Sequence, residues 1–254
     1  MVGFVDIHSH FLYDIDDGPK DIEGSISMLK EMKSEGISAV FSTSHFNIGE
    51  IKIEEFIKKR DERIASLKDV SKEIGIEIKK GAEVFISSLL PNLELLPSLA
   101  LEGTNYILIE LPYIQNYPNE YNNVISKIMR NFNLIPIIVH AERYNFFAKK
   151  PAILENLINM GCLVQITANT LLEKNFMFVD HLIKNNYTHF IATDSHNLQK
   201  RPPKIKEAIS VSTLKHGEKK IKEMLKNQQD LLVGKQIPYS EPGKLTHLFG
   251  KYYI

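Results

Sequence analysis

Cysteine is nearly absent: Cys162 is the only one among 254 residues. A lone thiol cannot close an intramolecular disulfide, which excludes a secreted, disulfide-stapled scaffold. It also argues against thiolate attack on phosphoesters, in which an arginine six residues after the cysteine joins the loop amides around a phosphate; position 168 is Ala168. Cys162, in the segment from Met160 to Gln165, reads instead as a small buried hydrophobe. Net charge is absent as well, because 31 Lys and Arg balance 31 Asp and Glu. No global field therefore draws the chain to nucleic acid or to an anionic membrane, and any charged ligand must be held locally. The longest apolar run is only Leu134 to Val139, and MVGFVDIHSH lacks a basic stretch followed by an apolar one. No membrane insertion and no signal peptide are expected, and a cytoplasmic location follows. Repeats, low-complexity tracts and Pro/Gly-rich linkers are missing too, so residues 1–254 are expected to form a single domain.

What is present is a regular alternation. Seven short apolar runs, Phe4 to Ile7, Ala39 to Ser42, Ile76 to Lys79, Tyr106 to Leu111, Ile135 to Val139, Leu163 to Thr167 and His189 to Thr193, alternate with longer amphipathic segments. That is the pattern of parallel strands joined by crossover helices. Ile22, Ile26, Leu29 and Met32 recur at helical spacing, with Gly36 where a helix would end. Residues 54–74, 120–132, 151–160 and 174–186 also read as helices, with Gly161 ending the 151–160 segment. The predicted fold is α/β, a distorted, TIM-like (β/α) barrel of seven strands, closed or nearly so, in a length that such barrels commonly occupy as one domain. Gln199 to Lys226 carries nine Lys or Arg against three Asp or Glu, which reads as a solvated helix face after the last strand. The tail from Leu248 to Ile254 is aromatic and suits packing over the barrel or engaging a partner.

The polar residues fall on the strand ends. His8 and His10 follow the first run, His45 the second, Glu83 the third, Glu110 the fourth, His140 the fifth, and Asp194 with His196 the seventh. In parallel α/β sheets the carboxyl ends of the strands share one face, so these residues converge on one mouth. The H-x-H and D-x-H pairs have a reason for their spacing, since residues two apart on an extended chain project to the same side. One such pair is weak, because a histidine near a strand end is more often a satisfied polar residue than a ligand. Six strand ends that each supply a metal-competent side chain are not so easily dismissed. Asp14, Asp16 and Asp17 lie in the following loop, and Asp17 is taken as the ninth member; Asp14 and Asp16 suit turn chemistry, the orienting of a ligand or a helix cap.

Five imidazoles and four carboxylates suit Mn, Fe or Zn better than Ca or Mg. Nine donors exceed the needs of one ion and imply two or three. Four carboxylates offset two divalent ions, whereas three ions leave a surplus of two positive charges that a phosphate monoester dianion would balance. Such a site would acidify a bound water for in-line attack on phosphorus. Arg143 and Arg201 emerge from loops on the same face, and a guanidinium fork matches phosphate oxygens.

With these features in place the chain resembles the polymerase and histidinol phosphatase (PHP) superfamily, and more closely the bacterial capsule-locus protein-tyrosine phosphatases. The resemblance rests on DIHSHFLYDIDDGP at 6–19, STSH at 42–45, GAEV at 81–84, ILIELP at 107–112, IIVHAERY at 137–144 and IATDSHNLQKRPP at 191–203. It implies a trinuclear site, usually supported by manganese, with His8, His10, Asp17, His45, Glu83, Glu110, His140, Asp194 and His196 as metal ligands. It implies Arg143 and Arg201 as phosphate contacts, and hydrolysis of phosphotyrosine on a bacterial tyrosine autokinase that controls capsular or extracellular polysaccharide synthesis. The chain departs from some members after the second-strand histidine, where Phe46 and Asn47 stand in place of basic residues. A small-molecule phosphatase of the histidinol phosphatase type would share every ligand and differ at the rim, and a non-catalytic kinase-binding module is a further alternative.

Overall fold

The computed structural model of the chain describes residues 3–173 and 177–243. Each of the seven apolar runs overlaps a strand, with helices between them and two more after the last. In chain order the strands are β1 (Phe4–Ser9), β2 (Ile37–Ser42), β3 (His45–Phe46), β4 (Glu77–Lys80), β5 (Glu83–Phe85), β6 (Tyr106–Glu110), β7 (Ile135–Ile138), β8 (Leu163–Thr167) and β9 (Phe190–Ala192). The helices are α1 (Ile22–Ser34), α2 (Ile53–Ile74), α3 (Glu120–Phe132), α4 (Asn145–Lys149), α5 (Ala152–Asn159), α6 (Met177–Lys184), α7 (Ile205–His216) and α8 (Glu218–Leu232). The basic segment after the last strand thus becomes α7 and α8, while the aromatic tail and residues 174–176 lie outside the described residues.

Every ladder is parallel, in one three-stranded sheet ordered β1-β2-β4 and one six-stranded sheet ordered β3-β5-β6-β7-β8-β9. Nine strand segments appear where seven runs are read in the sequence, because two runs break and resume. Thr43 and Ser44 separate β2 from β3, and Gly81 and Ala82 separate β4 from β5. At the first break the Thr43 N–H turns to Ser9 O of the neighbouring strand, and the carbonyls of Thr43 and Ser44 both accept from Glu83 N–H. The result is a curled parallel sheet with helices around it.

Local chemistry sets the helix ends. Asp21 caps α1, its carboxylate accepting from Gly24 N–H at 2.9 Å, and the helix stops at Gly36 with φ +81°, a left-handed conformation that costs glycine least. Apart from β4, the strands are largely buried on both faces, as expected for a parallel sheet covered by helices. Ile107 and Ile109 of β6 pack in the larger core cluster with Ile125 and Ile128 of α3, while Tyr106 and Leu108 join a smaller one with Val5, Ile137, Phe190 and Leu231. Cys162 is buried in the larger cluster, as its composition reading predicts.

The first and last strands meet along a seam with little regular ladder. A single bridge joins Ser9 to Ser195, supported by His10 N–H to Ser195 O and Asp194 N–H to His8 O, both at 2.8 Å. Deeper in, side chains replace the ladder. The buried Asp6 carboxylate accepts from Thr193 N–H at 3.0 Å and from the Thr193 hydroxyl at 2.5 Å. At the far end the Gln228 amide of α8 donates both hydrogens across the gap, to Val5 O at 2.8 Å and Ile191 O at 2.6 Å. Its neighbours act similarly, Asn227 on His189 O and Gln229 on Gly3 O. Replacing Gln228 by Ala leaves two buried carbonyls without donors, so stability should fall by ~1–3 kcal/mol. Urea or thermal denaturation checks this, and an unchanged midpoint would rule out the seam role.

Candidate metal centre

All nine residues singled out in the sequence come together at the carboxyl ends of the strands. The centre of the group is Glu83, the first residue of β5 and buried. Its Oε2 lies 3.2 Å from His8 Nε2, 3.1 Å from His10 Nε2 and 3.0 Å from His45 Nδ1, while Oε1 lies 2.8 Å from His140 Nε2. Glu110, the last residue of β6, stands 3.7 Å from His45 and 3.9 Å from His140. Asp194 Oδ1 is 3.6 Å from both His8 and His10 and 3.7 Å from His196 Nδ1. Asp17 closes the open side, its Oδ1 at 3.4 Å from His45 Nε2 and 3.1 Å from His196 Nε2.

The outer nitrogens of three rings are tied down so that the inner ones face the cluster. The Gln165 amide oxygen accepts from His140 N–H at 2.9 Å and lies 3.1 Å from His8 Nδ1. An amide oxygen only accepts, so His8 Nδ1 carries the proton and Nε2 presents a lone pair. Asp16 does the same for His10, its Oδ2 2.8 Å from Nδ1, while also accepting from His45 N–H and, through Oδ1, from Gly18 N–H. Gly18 is needed for this turn, since a Cβ there would sit 2.2 Å from His10 O. His196 Nδ1 donates to Asp194 O at 3.0 Å. Of the alternatives left open for the acidic loop, Asp16 is the orienting residue. Asp14 pairs with Arg63 and Lys59 of α2, and the helix cap is Asp21.

Two observations fit divalent cations to this donor set. The Nε2 atoms of His8 and His10 are 3.1 Å apart, and a cation shared by the two resolves the repulsion of facing lone pairs. Glu83 Oε2 and Asp194 Oδ1 are buried with no hydrogen-bond partner, which is costly for a carboxylate unless positive charge meets it. Ligand atoms close enough to serve one ion occur in three sets: His10, Asp17, His45 and His196; His8, His10 and Asp194; and His45, Glu83 and Glu110. The electrostatics agree. Burial opposes protonation of His10, yet the Asp16 carboxylate raises it to about 9. His45 rises to about 11 as Asp17 and Glu83 overcome the same burial. Burial and the neighbouring Glu83 charge push Glu110 up. His140 (φ 34°) and Asp194 (φ 50°) both take left-handed backbone, strain that recurs at functional sites.

The two arginines point where the sequence places them. Arg143 Nη1 is 2.6 Å and Arg201 Nη2 2.5 Å from Asp194 Oδ2, and Arg201 Nη1 is 3.0 Å from His196 Nε2. Burial works against the low pKa of Asp194, but His8 and the guanidiniums hold its carboxyl well below the usual range. Sequence reasoning missed Gln165, a polar residue inside a buried strand, and Tyr113, whose hydroxyl lies 3.3 Å from His140 Nδ1. Partners of ligating histidines typically set metal affinity by 10–100-fold. Gln165→Leu and Asp16→Ala should each weaken metal retention by roughly that factor while far-UV circular dichroism stays unchanged. Metal titration followed by elemental analysis checks it, and wild-type affinity in both variants would refute the orienting role.

Comparison with known proteins places this geometry. Residues 4–233 match the family described as capsular polysaccharide synthesis, CpsB/CapC. The putative tyrosine-protein phosphatase CapC of Staphylococcus aureus is 34% identical over 247 residues, 92% of this chain and 94% of that protein. The tyrosine-protein phosphatase CpsB of Streptococcus pneumoniae is 31% identical over 232 residues, 87% of this chain and 94% of that protein. Among solved structures, one from work on YwqE of Bacillus subtilis and CpsB of S. pneumoniae, described as unique metal-dependent tyrosine phosphatases, superposes with a TM-score of 0.84. It is 27% identical, with 96% of this chain and 100% of that chain covered. The phosphotriesterase homology protein of Escherichia coli, at 10% identity and a TM-score of 0.53 over 90% of this chain and 98% of its own, shares the fold. Matched along nearly all of its described length, the chain belongs to the CpsB/CapC family of capsular polysaccharide synthesis.

Proposed function

We propose that this chain is a metal-dependent protein-tyrosine phosphatase. The observation that carries the reading is the cluster of five imidazoles and four carboxylates flanked by two arginines on Asp194; the relatives' names support it. His8, His10, Asp17, His45, Glu83, Glu110, His140, Asp194 and His196 hold two or three divalent ions, manganese before iron or zinc. Bound there, the ions supply Lewis acidity toward phosphoryl oxygens and lower the pKa of water to make a nucleophile near neutral pH. The chain's part is to fix the donors and to neutralise the substrate. Gln165 and Asp16 hold two imidazoles with their lone pairs inward, and Arg143 and Arg201 take phosphate oxygens with planar forks. A phenolate leaving group, whose conjugate acid has a pKa near ~10, departs with little protonation, so the reaction places no strong demand for a general acid on the chain. We count β2 with β3 and β4 with β5, and read the curl as a distorted seven-stranded (β/α) barrel forming one domain.

The substrate we infer is a phosphotyrosine protein, a bacterial tyrosine autokinase acting on capsular or extracellular polysaccharide synthesis, in the cytoplasm. No helix among the described residues is long and apolar enough to cross a membrane. Cysteine chemistry has no place in this reading, since burial pushes the Cys162 thiol up to about 12 and leaves it un-ionised at neutral pH. Purified protein should hydrolyse a phosphotyrosine peptide with Mn, lose activity on chelation, and keep it in Cys162→Ser. Arg143→Ala and Arg201→Ala should each lower kcat/KM by ~10–100-fold, the worth of a hydrogen bond to a charged group, without loss of metal. Activity without metal, or preference for histidinol phosphate over the peptide, would overturn the proposal.

A further inference from the structure

The loop after β6 sets an aromatic ring at the edge of the metal centre that none of the metal or phosphate roles uses. Tyr113 is 60% exposed, yet its polar end is held inside, the hydroxyl 3.3 Å from His140 Nδ1 and beside Arg143. The ring lies at 20° to the His140 imidazole with centroids 5.9 Å apart, and Tyr144 braces it at 5.3 Å. Tyr144 is itself fixed, buried and accepting from Leu111 N–H at 2.8 Å. A ring tethered at its hydroxyl and supported by an immobile neighbour has little orientation left to lose. Two other large apolar side chains are exposed nearby in sequence to site residues: Ile114 on the same loop, at 41%, and Leu198 between His196 and Arg201, at 38%. Apolar groups scattered singly over a surface need no explanation, but these stand on the loops that follow Glu110 and His196.

Resting on the phosphotyrosine reading, we propose that Tyr113 determines substrate specificity by packing against the phenyl ring of the substrate while Arg143 and Arg201 hold its phosphate. The geometry suits it: Tyr113 stands beside Arg143 with its ring largely exposed, so the ring is within reach of a group esterified to a phosphate held there, and aromatic pairs favour offset or edge-to-face contact at centroid distances of ~4.5–7 Å. The preorganised ring makes the contact without ordering a mobile side chain. An alkyl phosphate has no flat apolar group to offer there and gains nothing from Tyr113.

The test compares wild type, Tyr113→Leu and Tyr113→Phe, each loaded with Mn, by the KM for a phosphotyrosine peptide and the inhibition constant of inorganic phosphate. Tyr113→Leu should raise the KM about 10-fold with the phosphate constant within ~2-fold of wild type, since phosphate has no ring and meets only the arginines and the metal ligands. Tyr113→Phe should recover most of the loss. An unchanged KM in Tyr113→Leu overturns the inference, as does a parallel rise in both constants, which would mean that the centre itself was disturbed. A Phe variant as impaired as the Leu variant also overturns it, by assigning the effect to the hydroxyl on His140. Wild-type protein that hydrolyses no phosphotyrosine peptide defeats the phosphatase reading instead, and that result is separate because it is read before any variant is compared.

Discussion

Positive charge at the carboxyl ends of the strands is the constraint around which the rest is arranged. Four imidazoles stand within 3.2 Å of Glu83, and the buried carboxylates among them would sit desolvated and unpaired without that positive charge. The protein supplies part of that charge from Arg143 and Arg201 and leaves room for the remainder. Orientation follows from the same demand. Gln165, Asp16 and the Asp194 carbonyl each occupy an outer imidazole nitrogen, which leaves the inner nitrogens as acceptors facing the cluster.

Holding donors from β1 and β9 in one shell requires the ends of the sheet to meet, and regular strand pairing does not achieve this alone. β9 has three residues, and the one bridge to β1 falls beyond its end, at Ser195. The remaining length is joined by a buried aspartate, a threonine hydroxyl and three consecutive amides on α8, groups whose sequence positions give no hint that they close the sheet. The site and the seam are thus one construction, since His8, His10, Asp194 and His196 sit at its upper end.

This explains what the sequence discloses and what it hides. Most strand runs are legible because burial on both faces forces continuous apolar composition; β4, Glu77–Lys80, is the partly exposed exception. The ligands are legible because parallel strands put their carboxyl ends together, so that residues as distant as His8 and His196 can be grouped without knowing a single contact. The two-residue β3 and the three-residue β5 are not, being continuations after breaks that Thr43, Ser44 and Gly81 impose. Asp16 and Asp17 are adjacent acids in an irregular loop, and only the folded turn separates their roles. Gln165 reads as an ordinary polar residue in a strand, because its partner His8 is 157 positions away. Tyr113 has no periodicity to announce it.

The seam also joins the first strand to the last. Asp6 finds Thr193 across 187 residues, and Gln228 finds Val5 across 223. During synthesis, β1 emerges before the rest of the sheet and gains β2 early, with β4 on the far side of β2, but its other edge waits for β9 and α8. For that interval the nascent protein carries an open strand edge of the kind that invites wrong pairing, together with two histidines whose companions have not yet been made. Long-range closure of this kind slows folding, and it orders events: a complete set of donors exists only once the last strand has docked. The sets that include Asp194 or His196 are therefore complete only in finished chains, whereas His45, Glu83 and Glu110 come from strands made earlier.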